Sequence, residues 1–146
     1  SYPKTEYLDL LVALSQEAVG SYAHYLKPRG TLVIDTELVR QTPSNIFRGL
    51  PFTALARDVV GVPQATNVVA LGAVTWLLPF AKPEAVRKSL KASLPEKIRA
   101  ANIKAFNLGY SEAKKRLGEP MAIPDPTLGD GQEEERMDLC NIMADD

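Results

Sequence analysis

Asp9-Leu10-Leu11-Val12-Ala13-Leu14 is an apolar run with no polar alternation, the pattern of a strand buried on both faces of a parallel sheet. A helical pattern follows from Ser15 to Tyr25, with Ser15 placed to cap it and Glu17 acidic in its first turn. Pro28-Arg29-Gly30 is expected to stop that helix. Thr31-Leu32-Val33-Ile34 then reads as a second buried strand, β-branched and bounded by Gly30 and Asp35. Strand, helix, turn and strand in so short a span make a βαβ unit, two parallel strands joined by a right-handed crossover.

Downstream the pattern turns helical. A short strand is expected near Asn45–Phe47 or Pro51–Phe52, and Thr53 is placed to cap a helix Ala54–Val60 that Gly61 ends. Val68 to Leu78 is apolar nearly all round, which predicts a central buried helix with Ala70 and Gly72 small enough for close approach. Pro83 and Pro95 suit the starts of two further helices, Glu84–Lys91 and Glu96 to about Leu117. In the longer one Ile98, Ala101, Ala105 and Leu108 share a stripe. Two confident strands, each buried on both faces, are too few for a parallel sheet, so further strands are expected upstream of residue 1.

Composition narrows the function classes. The chain has 146 residues, 45% of them apolar, and a net charge of −1, which excludes a wholly disordered protein. The longest uncharged stretch, Val59–Phe80, is broken by Gly61, Pro63, Gln64, Asn67, Gly72 and Pro79 and does not read as a membrane helix. No signal peptide is visible at the start. One cysteine (Cys140) and one histidine (His24) cannot build a disulfide framework, a zinc site or an iron–sulfur cluster. A lone thiol fits a reducing compartment, so a cytoplasmic location is expected. His24 lies at a helix end, where a surface role is the simpler reading.

The charge is uneven. Lys82 to Arg116 hold ten basic and three acidic residues, whereas residues 125–146 hold one arginine and eight acidic residues. The acidic stretch is expected to be an extension dispensable for folding. The basic stretch is either the solvated face of amphipathic helices or a docking surface for an acidic partner or a phosphorylated ligand. Nucleic acid is not favoured, because no stacking aromatics interleave the basic residues.

Three segments together resemble a known family. LDLLVALSQEAVGSYAHYLKPRGTLVIDTELV, TALARDVVGVPQATNVVALGAVTWLL with its Asn67 and Leu71-Gly72-Ala73, and KPEAVRKSLKASLPEKIRAANIKAFNLGY ending in Gly109-Tyr110 resemble, in order and spacing, the second half of the gamma subunit of 2-oxoacid:ferredoxin oxidoreductases. The likeness spans roughly residues 2–116. The family's glycine-rich loop between its first strand and helix has no counterpart here, where the glycines at 20, 30, 49, 61 and 72 stand alone.

The resemblance implies an α/β fold, a three-layer Rossmann-like parallel sheet with a helical C-terminal half. It would occupy residues 1–118 without its first strands, with 119–146 as the acidic extension. It also implies a complex that oxidatively decarboxylates a 2-oxoacid, pyruvate or 2-oxoglutarate, to an acyl-CoA and passes electrons to ferredoxin. Thiamine diphosphate, coenzyme A and iron–sulfur clusters would then be held by other subunits, of alpha, beta and delta types. This chain would bind no cofactor and be inactive alone.

The expected site residues are few. Ser15 and Gln16 lie at the carboxyl end of the first strand, where open α/β sheets place their crevices. Ser15 would cap the helix or face that crevice. Asn67 would cap the buried helix or present its amide to an intersubunit site. Gly129-Asp130-Gly131 resembles part of a thiamine diphosphate fingerprint, but only 15 residues follow it, so it reads as a turn. No residue is a credible nucleophile or general base. Against the subunit reading stands a stand-alone α/β domain that uses the basic helices to hold a phosphorylated small molecule.

Overall fold

The computed structural model describes residues 7–123, which divide into two compact units, residues 7–49 and Leu50–Ile123. The second unit runs past the expected boundary at residue 118, because Leu117 and Met121 are buried and the Met121 N–H donates to the Leu77 carbonyl at 2.7 Å. The acidic extension and Gly129-Asp130-Gly131 lie outside the described residues.

The first unit is the βαβ unit. Strand β1 (Leu8–Ala13) is followed by helix α1 (Gln16–Tyr22), a 3-10 turn Ala23–Tyr25 and strand β2 (Leu26–Asp35). β1 and β2 are parallel, with Leu10 opposite Thr31, Leu11 opposite Leu32, Val12 opposite Val33 and Ala13 opposite Ile34. Leu8, Leu11, Ala13, Leu32 and Ile34 pack with Ala18 and Val19 of α1 and with Val39 in one apolar cluster. That places the core where the unalternated runs required it.

Two boundaries differ from the sequence reading. The helix ends at Tyr22, and β2 begins at Leu26, upstream of Pro28. The reason is a bulge: Leu8 pairs with Leu26 and Leu10 with Thr31, so Asp9 faces four residues, Lys27–Gly30. Proline is tolerated in a strand at such an irregularity, where no ladder hydrogen bond is needed from it. A Cβ on Gly30 would come within 2.9 Å of the Leu8 carbonyl oxygen and 3.0 Å of that of Lys27. The glycine that looked like a helix stop therefore permits close backbone approach inside the bulge. Lys27 Nζ spans the same irregularity to Asp9 Oδ1 at 3.1 Å.

Strand β3 (Arg48–Leu50) completes a sheet of order β1-β2-β3, between the two positions expected for a third strand. The second unit continues with a short helix α2 (Phe52–Ala54) that runs on as a π-helix, Leu55–Val60, and stops at Gly61, whose φ of 83° closes the turn. Thr53 lies inside that helix rather than at its cap, which is Pro51. After a 3-10 turn (Pro63–Ala65) come α3 (Thr66–Leu77), α4 (Pro83–Ser93) and α5 (Glu96–Arg116).

α3 is the centre of this unit, with Val69, Ala70, Gly72, Ala73, Val74, Thr75 and Leu77 buried. It packs on α5 through two glycines. A Cβ on Gly72 would collide with the Phe106 carbonyl, and one on Gly109 with the Val69 carbonyl. Each helix thus offers a glycine to the other's backbone, so the axes approach more closely than side chains would allow. Trp76 and Tyr110 meet edge to face at 5.8 Å beside this contact, and the Trp76 indole N–H donates to the Gly118 carbonyl at 2.9 Å.

Candidate functional site

The carboxyl edge of the β1–β2 pair carries the polar residues expected to face a crevice. Ser15, two residues beyond β1, is extended, and its Oγ accepts a hydrogen bond from the Ala18 N–H at 3.1 Å. Its side chain is thus engaged as the cap of α1, satisfying one of the free N–H groups of the first turn.

Gln16 follows with its side chain turned to the segment beyond β2. Its Oε1 accepts from the N–H groups of Arg40 at 2.8 Å and Gln41 at 3.0 Å, and its Nε2 donates to the Gln41 carbonyl at 2.7 Å. The primary amide thereby imitates a strand edge. It holds the backbone at residues 40–41 to the start of α1.

Sequence reasoning missed Asp35, the last residue of β2. It is fully buried, and its Oδ1 accepts from the Glu37 N–H at 3.0 Å while its carbonyl accepts from Leu38 and Val39. A buried carboxylate requires such donors. The available signal was an aspartate directly after a β-branched strand, a frequent start of an Asx turn. Asp35 and Gln16 shape the same loop from opposite ends. Leu38 within it and Ile46 and Phe47 further along the chain are exposed, Ile46 by 86%.

Asn67 belongs to the second unit. It is exposed in the first turn of α3, whose cap position is Ala65, so it does not cap the helix. The Thr66 hydroxyl instead donates back to the Pro63 carbonyl at 2.8 Å. Elsewhere in this unit the Arg57 guanidinium hydrogen-bonds Asp58 from Nε at 2.9 Å and Nη2 at 3.1 Å, and those bonds hold that exposed carboxyl below its usual range.

At the carboxyl edge stand a serine occupied as a cap, an amide occupied by backbone and a buried carboxylate that accepts from the Glu37 N–H. None of the three is set up to attack or to move a proton. The fold is that of an α/β domain built on a parallel sheet. Comparison with known proteins gives the family. Residues 1–112 match the model of pyruvate ferredoxin/flavodoxin oxidoreductase, and the chain belongs to that family.

Curated relatives agree. The chain is 32% identical over 119 residues to the 2-oxoglutarate synthase subunit KorC of Methanocaldococcus jannaschii, covering 78% of this chain and 63% of that one. It is 32% identical over 117 residues to the KorC of Methanothermobacter marburgensis, covering 74% and 62%. The chain thus spans less than two thirds of the length of these relatives. Among solved structures, the gamma subunit of a keto/oxoacid ferredoxin oxidoreductase from Geobacter sulfurreducens superposes with a TM-score of 0.69 at 34% identity, covering 73% of this chain and 64% of that one. A 2-oxoglutarate:ferredoxin oxidoreductase from Magnetococcus marinus shares the fold, with a TM-score of 0.68 at 22% identity over 85% of this chain and 23% of that one.

Proposed function

We propose that this chain is part of the gamma-type component of a complex that oxidatively decarboxylates 2-oxoglutarate to an acyl-CoA and passes the electrons to ferredoxin. The observation that carries the reading is the likeness to a gamma subunit at 34% identity over 73% of this chain, beside the family match over residues 1–112. The choice of 2-oxoglutarate over pyruvate rests on the names of the curated relatives.

In this reading the chain contributes walls and binding surface, not reacting groups. Thiamine diphosphate, coenzyme A and iron–sulfur clusters are carried by partner subunits of alpha, beta and delta types. The single cysteine of the sequence agrees, since a cubane cluster needs four thiolates. Ser15 acts by capping α1 and Gln16 by fixing the loop after β2, whose exposed Leu38, Ile46 and Phe47 then face a partner. Asn67 offers its free amide on a second wall. A cytoplasmic location follows from the redox chemistry of such a complex, and no helix among the described residues is long and apolar enough to cross a membrane.

Co-expression with the candidate partner subunits tests the assignment. The chain should co-purify with them at fixed stoichiometry through size exclusion. Elution as a separate species at every concentration would instead favour a stand-alone domain.

A further inference from the structure

Helix α5 is buried along one face only from its middle onward. Ala105, Gly109 and Ala113 follow one another on that face and are all buried, with Gly109 against the Val69 carbonyl of α3. Ile98 precedes Ala105 by seven residues and Gly109 by eleven, which places it on the same face at ~3.6 residues per turn. Yet Ile98 is 42% exposed, and no residue of α5 before Ala105 is buried. The face that packs on α3 thus runs on past that contact and stands open in the first turns of α5.

Helix α4 has no buried residue either, and its apolar Val86 and Leu90, with Leu94 at the turn, are half-buried. The hairpin is nevertheless pinned. Arg87 Nη1 donates to Asn107 Oδ1 at 3.1 Å, and the same guanidinium lies over the Phe106 ring at 5.7 Å. Arg99 Nη2 donates to the Leu94 carbonyl at 2.9 Å, tying α5 to the turn. The two arginines therefore serve the hairpin itself. The lysines do not. Lys82, Lys88, Lys91, Lys97 and Lys104 are exposed, and among the described residues none has a carboxylate within ion-pair distance. Lys88 and Lys91 share one side of α4, and Lys97 and Lys104 one side of α5.

Residues 82–104 hold seven basic residues against Glu84 and Glu96. Like charges so spaced repel one another, and a face shaped only for solvation intersperses both signs. An open apolar side chain within a charged rim is instead the anatomy of a protein interface. A second copy of this chain would bring lysine onto lysine. Nucleic acid would leave Ile98 without a use, and the stretch has no aromatic ring on which bases could stack. The complementary occupant is a protein surface that presents an apolar anchor among carboxylates.

We propose that the α4–α5 hairpin, residues 82–104, docks an acidic face of a partner subunit, with an apolar side chain of that face on Ile98 and its carboxylates on Lys88, Lys91, Lys97 and Lys104. This inference rests on the proposed function and adds the surface used and the chemistry of its occupant. It is separate from the contact proposed for Leu38, Ile46 and Phe47.

Co-expression with the candidate partner subunits, followed by affinity measurement across a salt series, tests it. Lys88→Glu with Lys91→Glu should weaken association at least about tenfold at low salt and less at high salt. Lys88→Arg with Lys91→Arg should leave it unchanged. Ile98→Asp should weaken association at every salt concentration. None of these side chains is buried, so the thermal midpoint of each free variant should stay near that of the parent. In the unmodified complex, Lys88, Lys91 and Lys97 should resist an amine-labelling reagent that modifies them in the free chain, a readout that needs no variant to fold. If the unmodified chain co-purifies while the Glu variant binds equally well, or while those lysines label as fast as in the free chain, this inference is overturned and the enzyme assignment stands. If the unmodified chain never co-purifies, the assignment falls and takes this inference with it.

Discussion

Gly72 and Gly109 carry a disproportionate share of the second unit's geometry, because each faces backbone rather than side chain across the α3–α5 contact. Backbone cannot rotate away, so added atoms must move a helix. Gly72→Leu should cost ~1–3 kcal/mol or more, read as a lower midpoint in denaturant unfolding. A variant that melts like the parent would place this face in solvent. At the other end of the scale, Gln16→Ala removes three hydrogen bonds at an exposed position. Water replaces the lost partners at such a position, so global stability should fall by only ~1 kcal/mol. The Arg40 and Gln41 amides, however, should exchange markedly faster. Equal exchange rates in parent and variant would show that Gln16 is not what holds the loop.

Among the elements, those with an uninterrupted apolar pattern were legible from sequence and those shaped by a local irregularity were not. β1, α3, α4 and α5 appear where the runs, the prolines and the small residues put them. The start of β2 was hidden because Pro28-Arg29-Gly30 carries the same letters as a helix terminus, and only pairing with Leu8 turns it into a bulge. The π-helix Leu55–Val60 has no sequence mark at all beyond Gly61 at its end. The candidate site was half legible for a similar reason. Position at the end of a buried strand pointed to Ser15 and Gln16, but their partners at Ala18 and residues 40–41 lie in the folded chain. Asp35 went unnoticed because its burial depends on what surrounds it. The bulge makes its own prediction. Gly30→Val should disrupt the β1–β2 register and lower the thermal midpoint, since the new side chain meets the Leu8 and Lys27 carbonyls. Wild-type stability in that variant would mean that the bulge relaxes freely.

At the scale of the whole molecule, this chain belongs to the pyruvate ferredoxin/flavodoxin oxidoreductase family, and the proposed role is a supporting one within such an enzyme. The purified chain should therefore be colourless, free of stoichiometric iron and unable to decarboxylate any 2-oxoacid. Iron analysis and a carbon dioxide release assay check this, and turnover by the chain alone would end the supporting-subunit reading. The most direct measurement is coenzyme A-dependent reduction of ferredoxin by 2-oxoglutarate, assayed with the partner subunits alone and again after this chain is added. The partners alone should be weak or inactive, and stoichiometric addition of this chain should restore turnover, with 2-oxoglutarate preferred over pyruvate. Full activity without this chain, unchanged on its addition, would contradict it.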